Sequence, residues 1–337
     1  MNPGGFPEQL WRSRPKRAAF LLLVLLALAT HVAAPPDPPL PGPEIAALHF
    51  APVLLDASAP DRRRVGALDY LAGWQITSDS PRFGGISSMH VADGQVIALS
   101  DTGTLYRFAL PSGRGSGAVR IDSLADGPGS PTVKSNRDSE SMLVEGTRVW
   151  VGFEYSNMIW RYSLAGLRAE TAASPAPMAE WRHNSGAEAM TRLADGRYLV
   201  FCEGLSDSRP LSDAVLFDGD PADPRSRSHL LHYRRVPGYR VSDATVLPDG
   251  RLLILNRRFE WLEGFSLAVT IADARGLAEG ATIAPRVIGR LAPPLTVDNM
   301  EAASVTVENG RPILWIASDD NFFPLQRTLL LKFALVE

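Results

Sequence analysis

Only one of the 337 residues is cysteine, so no internal disulfide can brace the chain and its stability has to come from packing. A surplus of charge of one sign is also missing. The 34 Lys and Arg residues stand against 37 Asp and Glu, a net charge of -3, which argues against a nucleic-acid surface with its basic stripe. No apolar run reaches the roughly 20 residues of a membrane-spanning helix. The longest, Ala18 to Ala29, has 12. Nucleophile signatures are absent as well: there is no G-x-S-x-G elbow, no H-E-x-x-H and no phosphate-binding glycine loop. The lone Cys202 reads as a buried strand-end residue without a catalytic role.

What the chain does have is glycine, proline and repetition. It holds 28 glycines and 27 prolines, which suits a loop-rich all-β protein. One short phrase recurs five times: a small or acidic entry, an apolar run, an x-Gly turn, a second apolar run and a polar end. Its turn glycines are Gly94, Gly146, Gly196, Gly250 and Gly310, at spacings of 52, 50, 54 and 60 residues. Several short strands repeated at about 50 residues predict a β-propeller. Each unit reads as four strands, except that the fifth ends after three. Leu71–Thr77, just ahead of the first unit, is positioned to supply the missing strand and close the ring without open edges. This reading gives five blades, or six if Ile45–Leu55 builds a degenerate unit.

The N-terminus has the pattern of an export leader. Arg12, Arg14, Lys16 and Arg17 precede the 12-residue apolar run, and the small residues Ala29, Ala33 and Ala34 follow it. The expected organisation is a signal peptide or anchor over 1–34, a Pro-rich linker over 35–44 and one domain over 45–337. The expected location is the periplasm or the exterior, with an inner-membrane tether through 18–29 if the leader stays uncleaved. No feature identifies a partner protein.

In a propeller hairpin, the start of the first strand and the end of the second lie at the same end of the sheet. Those positions are repeatedly acidic here: Glu140, Glu188, Asp243 and Glu301 at the starts, and Asp101, Glu154, Glu203 and Asp319 at the ends. Carboxylates crowded around a funnel repel one another unless something compensates. A hard divalent cation with oxygen ligands, Ca²⁺ above all, is one compensation. Its candidate ligands are Glu140, Glu188, Asp243, Glu301 and Asp319. The fifth unit, which adds Asp320 and Asn321, is expected to supply the most. Arg82, Arg137, Arg257 and Arg258 offer a second compensation by ion pairing. The alternative for any one acid is that it caps a strand end as structural punctuation. His183 stands beside a repeat entry and is a candidate base.

The segments Arg82-Phe83-Gly84-Gly85-Ile86-Ser87, Ala98-Leu99-Ser100-Asp101, Ala187-Glu188-Ala189-Met190, Val241-Ser242-Asp243-Ala244 and Ser318-Asp319-Asp320-Asn321-Phe322 together resemble the phytase-like family with esterase-like activity. The resemblance runs from about Val65 to Leu335. It implies a propeller hydrolase acting on phosphoric or carboxylic esters, with a small anionic ester as substrate. On this reading Glu301, Glu188 and His183 are catalytic, and Arg82, Arg257 and Arg258 bind the anionic group. Calcium-dependent propeller phytases carry a D-D-P-A-hydrophobic-W run, which Asp220-Pro221-Ala222-Asp223-Pro224 echoes only loosely, so phytate itself is not implied. A non-catalytic periplasmic binding scaffold is the alternative, and a two-carboxylate glycosidase is a third reading.

Overall fold

The computed structural model describes residues 40–183, 185–204 and 209–336. The expected leader over 1–34 and the linker up to residue 39 lie outside them. Among the described residues the regular structure is strand, apart from two three-residue 3-10 turns at Lys134–Asn136 and Ala176–Met178.

Strands β1 (Glu44–Pro52), β2 (Arg64–Val65) and β3 (Leu68–Ser78) precede the first repeat. That repeat forms β4 (Ile86–Ala92), β5 (Gln95–Ser100), β6 (Thr104–Ala109) and β7 (Gly115–Ser123). The second forms β8 (Ser139–Glu145), β9 (Arg148–Phe153), β10 (Met158–Ser163) and β11 (Ala169–Ala173). The third forms β12 (Ala187–Arg192), β13 (Tyr198–Cys202), β14 (Leu211–Phe217) and β15 (Ser228–Arg234). The fourth has β16 (Arg240–Val246), β17 (Leu252–Glu260), β18 (Gly264–Ala272) and, after the two-residue β19 (Thr282–Ile283), β20 (Arg286–Leu291). The last has β21 (Asn299–Glu308), β22 (Arg311–Asp319) and β23 (Leu329–Leu335).

Within each repeat the strands pair antiparallel in chain order. The leading strands β4, β8, β12, β16 and β21 each touch the next, and β21 touches β4, so they surround one axis. This is the arrangement of a β-propeller. The x-Gly turns set the hairpins locally. Asp93 and Gly94 both have positive φ, as do Asn309 and Gly310, the backbone that a two-residue turn between right-twisted strands requires.

Strand β3 pairs with β23, placing Trp74 opposite Leu330 and Gly73 opposite Leu331. Segment 71–77 therefore supplies the fourth strand of the last run. Strand β1 pairs on one side with β3 and on the other with β7, and so joins the outer edges of the first and last runs into one ten-stranded sheet. The remaining length of Ile45–Leu55 lies in the loop that follows, where Leu55 is fully buried.

The core lies between successive runs rather than inside any one. Leu253, Leu255 and Leu267 of the fourth pack with Leu314, Ile316, Leu331 and Phe333 of the last. Met89, Ala98 and Tyr106 of the first pack with Trp315 and Leu330 of the last, which closes the ring. Each leucine, isoleucine, methionine or phenylalanine among them contributes about 1.5–3 kcal/mol by its burial. No run could bury these faces alone.

The runs approach closely at Gly152 of β9. A Cβ there would meet the Ser141 hydroxyl oxygen at 2.3 Å and the Ala187 Cβ at 2.9 Å. Gly152→Ala is expected to cost about 1–3 kcal/mol through overpacking. Thermal unfolding should show a lowered Tm for this variant and an unchanged one for Gly113→Ala, where nothing lies within 4 Å.

Candidate functional site

Every leading strand carries one β-bulge at the same place near its start. In β8 the pairing jumps from Ser139↔Phe153 to Ser141↔Gly152, leaving Glu140 as the extra residue. By the same shift the extra residues are Ser87 in β4, Glu188 in β12, Ser242 in β16 and Glu301 in β21. A bulge turns one side chain out of the alternating pleat, and bulges are common beside active sites. Where that residue is serine, its hydroxyl bonds the next run: Ser87 Oγ donates to Ser139 O at 2.6 Å and Ser242 Oγ to Met300 O at 2.9 Å. Where it is glutamate, its carboxyl enters a cavity of about 460 Å³ at the axis.

Asp243 is one residue past the bulge, and this corrects its expected place as a metal ligand. It does not line the cavity. Its Oδ1 accepts from the Ala244 amide at 2.8 Å and its Oδ2 from the Ala303 amide at 2.7 Å, so it links the fourth run to the last. The strand-end acids Asp101, Glu154, Glu203 and Asp319 do reach the cavity, as do Glu140, Glu188 and Glu301. Asp138, which the repeat pattern does not single out, makes the eighth carboxylate.

Among the described residues, three cations face these eight acids: Lys134, Arg240 and Arg257. Arg257 replaces the strand-end acid of the fourth repeat and sits among the glutamates. Its guanidinium lies 2.8 Å from Glu203 and 3.5 Å from Glu188. Its Nε is 2.8 Å from Glu301 Oε1, an ion-pair distance off the line of a hydrogen bond. Arg240 pairs with Glu203 at 3.0 Å. Lys134 is 2.8 Å from Asp101 and 3.5 Å from Asp138. Burial opposes the charge of Lys134 and of Arg257, yet these carboxylates hold both above their ordinary pKa values.

The other arginines lie elsewhere. Arg82 donates to Gly42 O, Glu44 and Ser123 Oγ, pinning the start of β1, and does not bind in the cavity. Arg258 turns outward to Glu260 and Glu263. Arg137 donates to Pro128 O and Asn136 O and lines a separate cavity. His183, the candidate base, stacks on Tyr155 at 4.5 Å, donates its Nδ1–H to Tyr155 O at 2.7 Å, and does not line the site.

The fifth repeat is not the richest in free oxygens. Asp319 Oδ1 accepts from the Asn321 amide at 2.6 Å, and Asp320 clasps Gly85, Phe322 and Thr328. The tightest convergence lies instead in the second. One oxygen each from Asp138, Glu140 and Glu154 falls within 4.8 Å of the others, with Lys134 only at the edge. Oxygens that close can share one Ca²⁺ at roughly 2.3–2.6 Å, and a hard cation takes oxygen ligands, carboxylates among them. The donor set therefore fits such an ion. Asp220, the loose echo of a phytase run, is held by the Trp150 indole at 2.7 Å, the Ala222 amide at 2.9 Å and Arg161, which is a structural role.

Crowding marks the acids electrostatically. Burial, then Asp138 and Glu203, push Glu154 up to about 8. Burial pushes Glu301 to about 8 against the pull of Arg257, and Asp319 to about 7 against the Asn321 amide. Glu140 is raised by burial and by Glu154, and Glu188 by burial and by Glu203.

A family model matches residues 81–322, well over half of the chain. The chain belongs to the Phytase-like family, "Esterase-like activity of phytase". No curated protein matches it. Among solved structures it is similar to Myxococcus xanthus glutaminyl cyclase, at 10% identity and a TM-score of 0.44, over 80% of this chain and 97% of that one. It is also similar to the β-propeller domain of Myceliophteria thermophila Cps50 (Swd1), at 8% identity and a TM-score of 0.40, over 87% and 100%.

Because these acids hold protons more tightly when folded than at the ordinary carboxylate pKa near 4, the folded state binds the extra protons between pH 4 and about 8. Their contribution to stability is therefore present at low pH and lost as pH rises through 7–8. In chelator, differential scanning calorimetry should show Tm falling from pH 6 to pH 8. Arg257→Met should steepen that fall, since it strands three buried glutamates, at a cost of about 3 kcal/mol or more at pH 8.

Proposed function

We propose that this phytase-like protein is a five-bladed propeller hydrolase of phosphoric or carboxylic esters, with its site in the axial cavity and a divalent cation, Ca²⁺ by its ligand chemistry, as assistant. The observation that carries this reading is the oxygen triad of Asp138, Glu140 and Glu154 inside a cavity whose eight carboxylates outnumber its three cations among the described residues. The five leading strands that meet around the axis support a count of five blades.

In this reading Asp138, Glu140 and Glu154 hold the cation. A cation so held polarises an ester oxygen and lowers the pKa of water. Glu301 and Asp319, with pKa values near 8 and 7, carry or release a proton near neutrality and suit a leaving-group acid. Arg257 keeps Glu188, Glu203 and Glu301 in place rather than gripping substrate. The competing reading is a binding scaffold, favoured by the engagement of all three cations with the protein's own acids.

A chromogenic phosphomonoester and carboxylester panel, run with EDTA and with Ca²⁺ restored, separates the two. Glu140→Gln keeps the side chain's size without its capacity to ionise, and should abolish both the Ca²⁺-induced rise in Tm and the turnover. Glu145→Gln, on the opposite face and paired with Arg192, should leave both intact. A Ca²⁺-induced rise in Tm without turnover on any ester would favour the scaffold. A Glu140 variant indistinguishable from the parent would sink the cation site.

The basic residues Arg12, Arg14, Lys16 and Arg17 ahead of Ala18–Ala29 support export to the periplasm. Mass spectrometry of the mature protein should find its N-terminus between about residues 30 and 35, or else an intact chain in the membrane fraction. An intact Met1 in the soluble cytoplasmic fraction would refute export.

A further inference from the structure

The longest repeat period, 60 residues from Gly250 to Gly310, contains an extension at the cavity. Strands β17 and β18 stay paired beyond Arg257, through Arg258↔Ser266, Phe259↔Phe265 and Glu260↔Gly264. The extension brings Phe259 and Phe265 to the cavity wall as a directly opposed pair, with ring centroids 4.8 Å apart and planes at 50°. Phe259 remains 51% exposed. Neither ring belongs to a hydrophobic core cluster, and the other described residues of the wall are charged or polar.

The charges in the cavity constrain what these rings can face. Lys134, Arg240 and Arg257 are each paired with the protein's own carboxylates. The oxygen triad has room for one cation at one charged group. A polyphosphate would bring several further anionic groups to a wall of acids. An ester with one charged or acyl group would bring only that group, and the rest of it would lie against the phenylalanines.

We propose that the site takes esters in which a single phosphoryl or acyl group is attached to an aromatic or other flat apolar moiety, and that Phe259 and Phe265 read that moiety. The hydrolytic part of this statement rests on the preceding reading, whereas the aromatic preference does not. Burying a ring against the pair removes apolar surface from water on both partners, and offset or edge contacts between rings add to it. The expected preference is at least tenfold.

The test measures binding rather than turnover. Isothermal titration in Ca²⁺ would compare 1-naphthyl phosphate with glycerol 2-phosphate, which differ in the alcohol and not in the phosphate. The parent protein should prefer the naphthyl ester by about tenfold or more, and Phe259→Ala and Phe265→Ala should reduce the preference to within about twofold. Phe259→Leu keeps apolar bulk without the ring face, so it should stay folded by Tm and lose most of the preference. Equal affinities in the parent would overturn the proposal. So would binding of neither ester, a variant that weakens both equally, or inositol hexakisphosphate binding more tightly than the naphthyl ester. Glu140→Gln keeps the two readings apart. A naphthyl preference that survives in a protein without turnover leaves the aromatic subsite standing and removes only the hydrolase.

Discussion

The β-bulge repeated in each leading strand is the constraint on which the rest of this molecule depends. A regular strand would send residues 140, 188 and 301 alternately to one face of the sheet or the other, against a neighbouring run. One inserted residue turns each of them to the axis while Ser141, Ala189 and Ala302 resume the ladder. The same device serves structure where the inserted residue is short, as the Ser87 and Ser242 hydroxyls bond the backbone of the following run. One backbone irregularity thus makes both the seam between runs and the acidic cavity.

Bringing acids together in this way has an electrostatic cost, which is met unevenly around the ring. Arg257 neutralises the side occupied by Glu188, Glu203 and Glu301. The side occupied by Asp138, Glu140 and Glu154 has Lys134 at its margin and feels Arg257 only at longer range, among the described residues. Internal arginine, one of the two compensations expected of such a funnel, therefore serves one side of the cavity more closely than the other. This asymmetry gives the site a direction: a half whose acids are held by an arginine and a half whose acids crowd together with a lysine at the rim.

Much of this was legible in the sequence because it is periodic. The turn glycines located the hairpins, Leu71–Thr77 was recognisable as the strand that completes the last run, and seven of the cavity's acids fell at repeat positions. The departures have physical reasons. Asp243 looks equivalent to Glu188 in linear alignment, but a bulge shifts register by one residue and cannot be seen in a string of letters. Arg82 belongs to the most recognisable motif, yet it fastens the incoming chain at Gly42 and Glu44. Asp138 and Lys134 lie in or beside the loop before β8, where no periodicity marks them. Phe259 and Phe265 showed only as excess length in the last period.

The pairing of β3 with β23 joins residues 68–78 to residues 329–335, the two ends of the domain. Contacts so distant in sequence raise the contact order and close late, because the loop between them must be ordered first. Until Leu329–Leu335 is available, both the outer edge of β3 and the faces that bury Leu331 and Phe333 stay open. The ring therefore cannot be completed progressively from its N-terminus. A chain shortened by its last strand would expose an unpaired edge beside an uncovered core, the combination that favours association with other chains over folding.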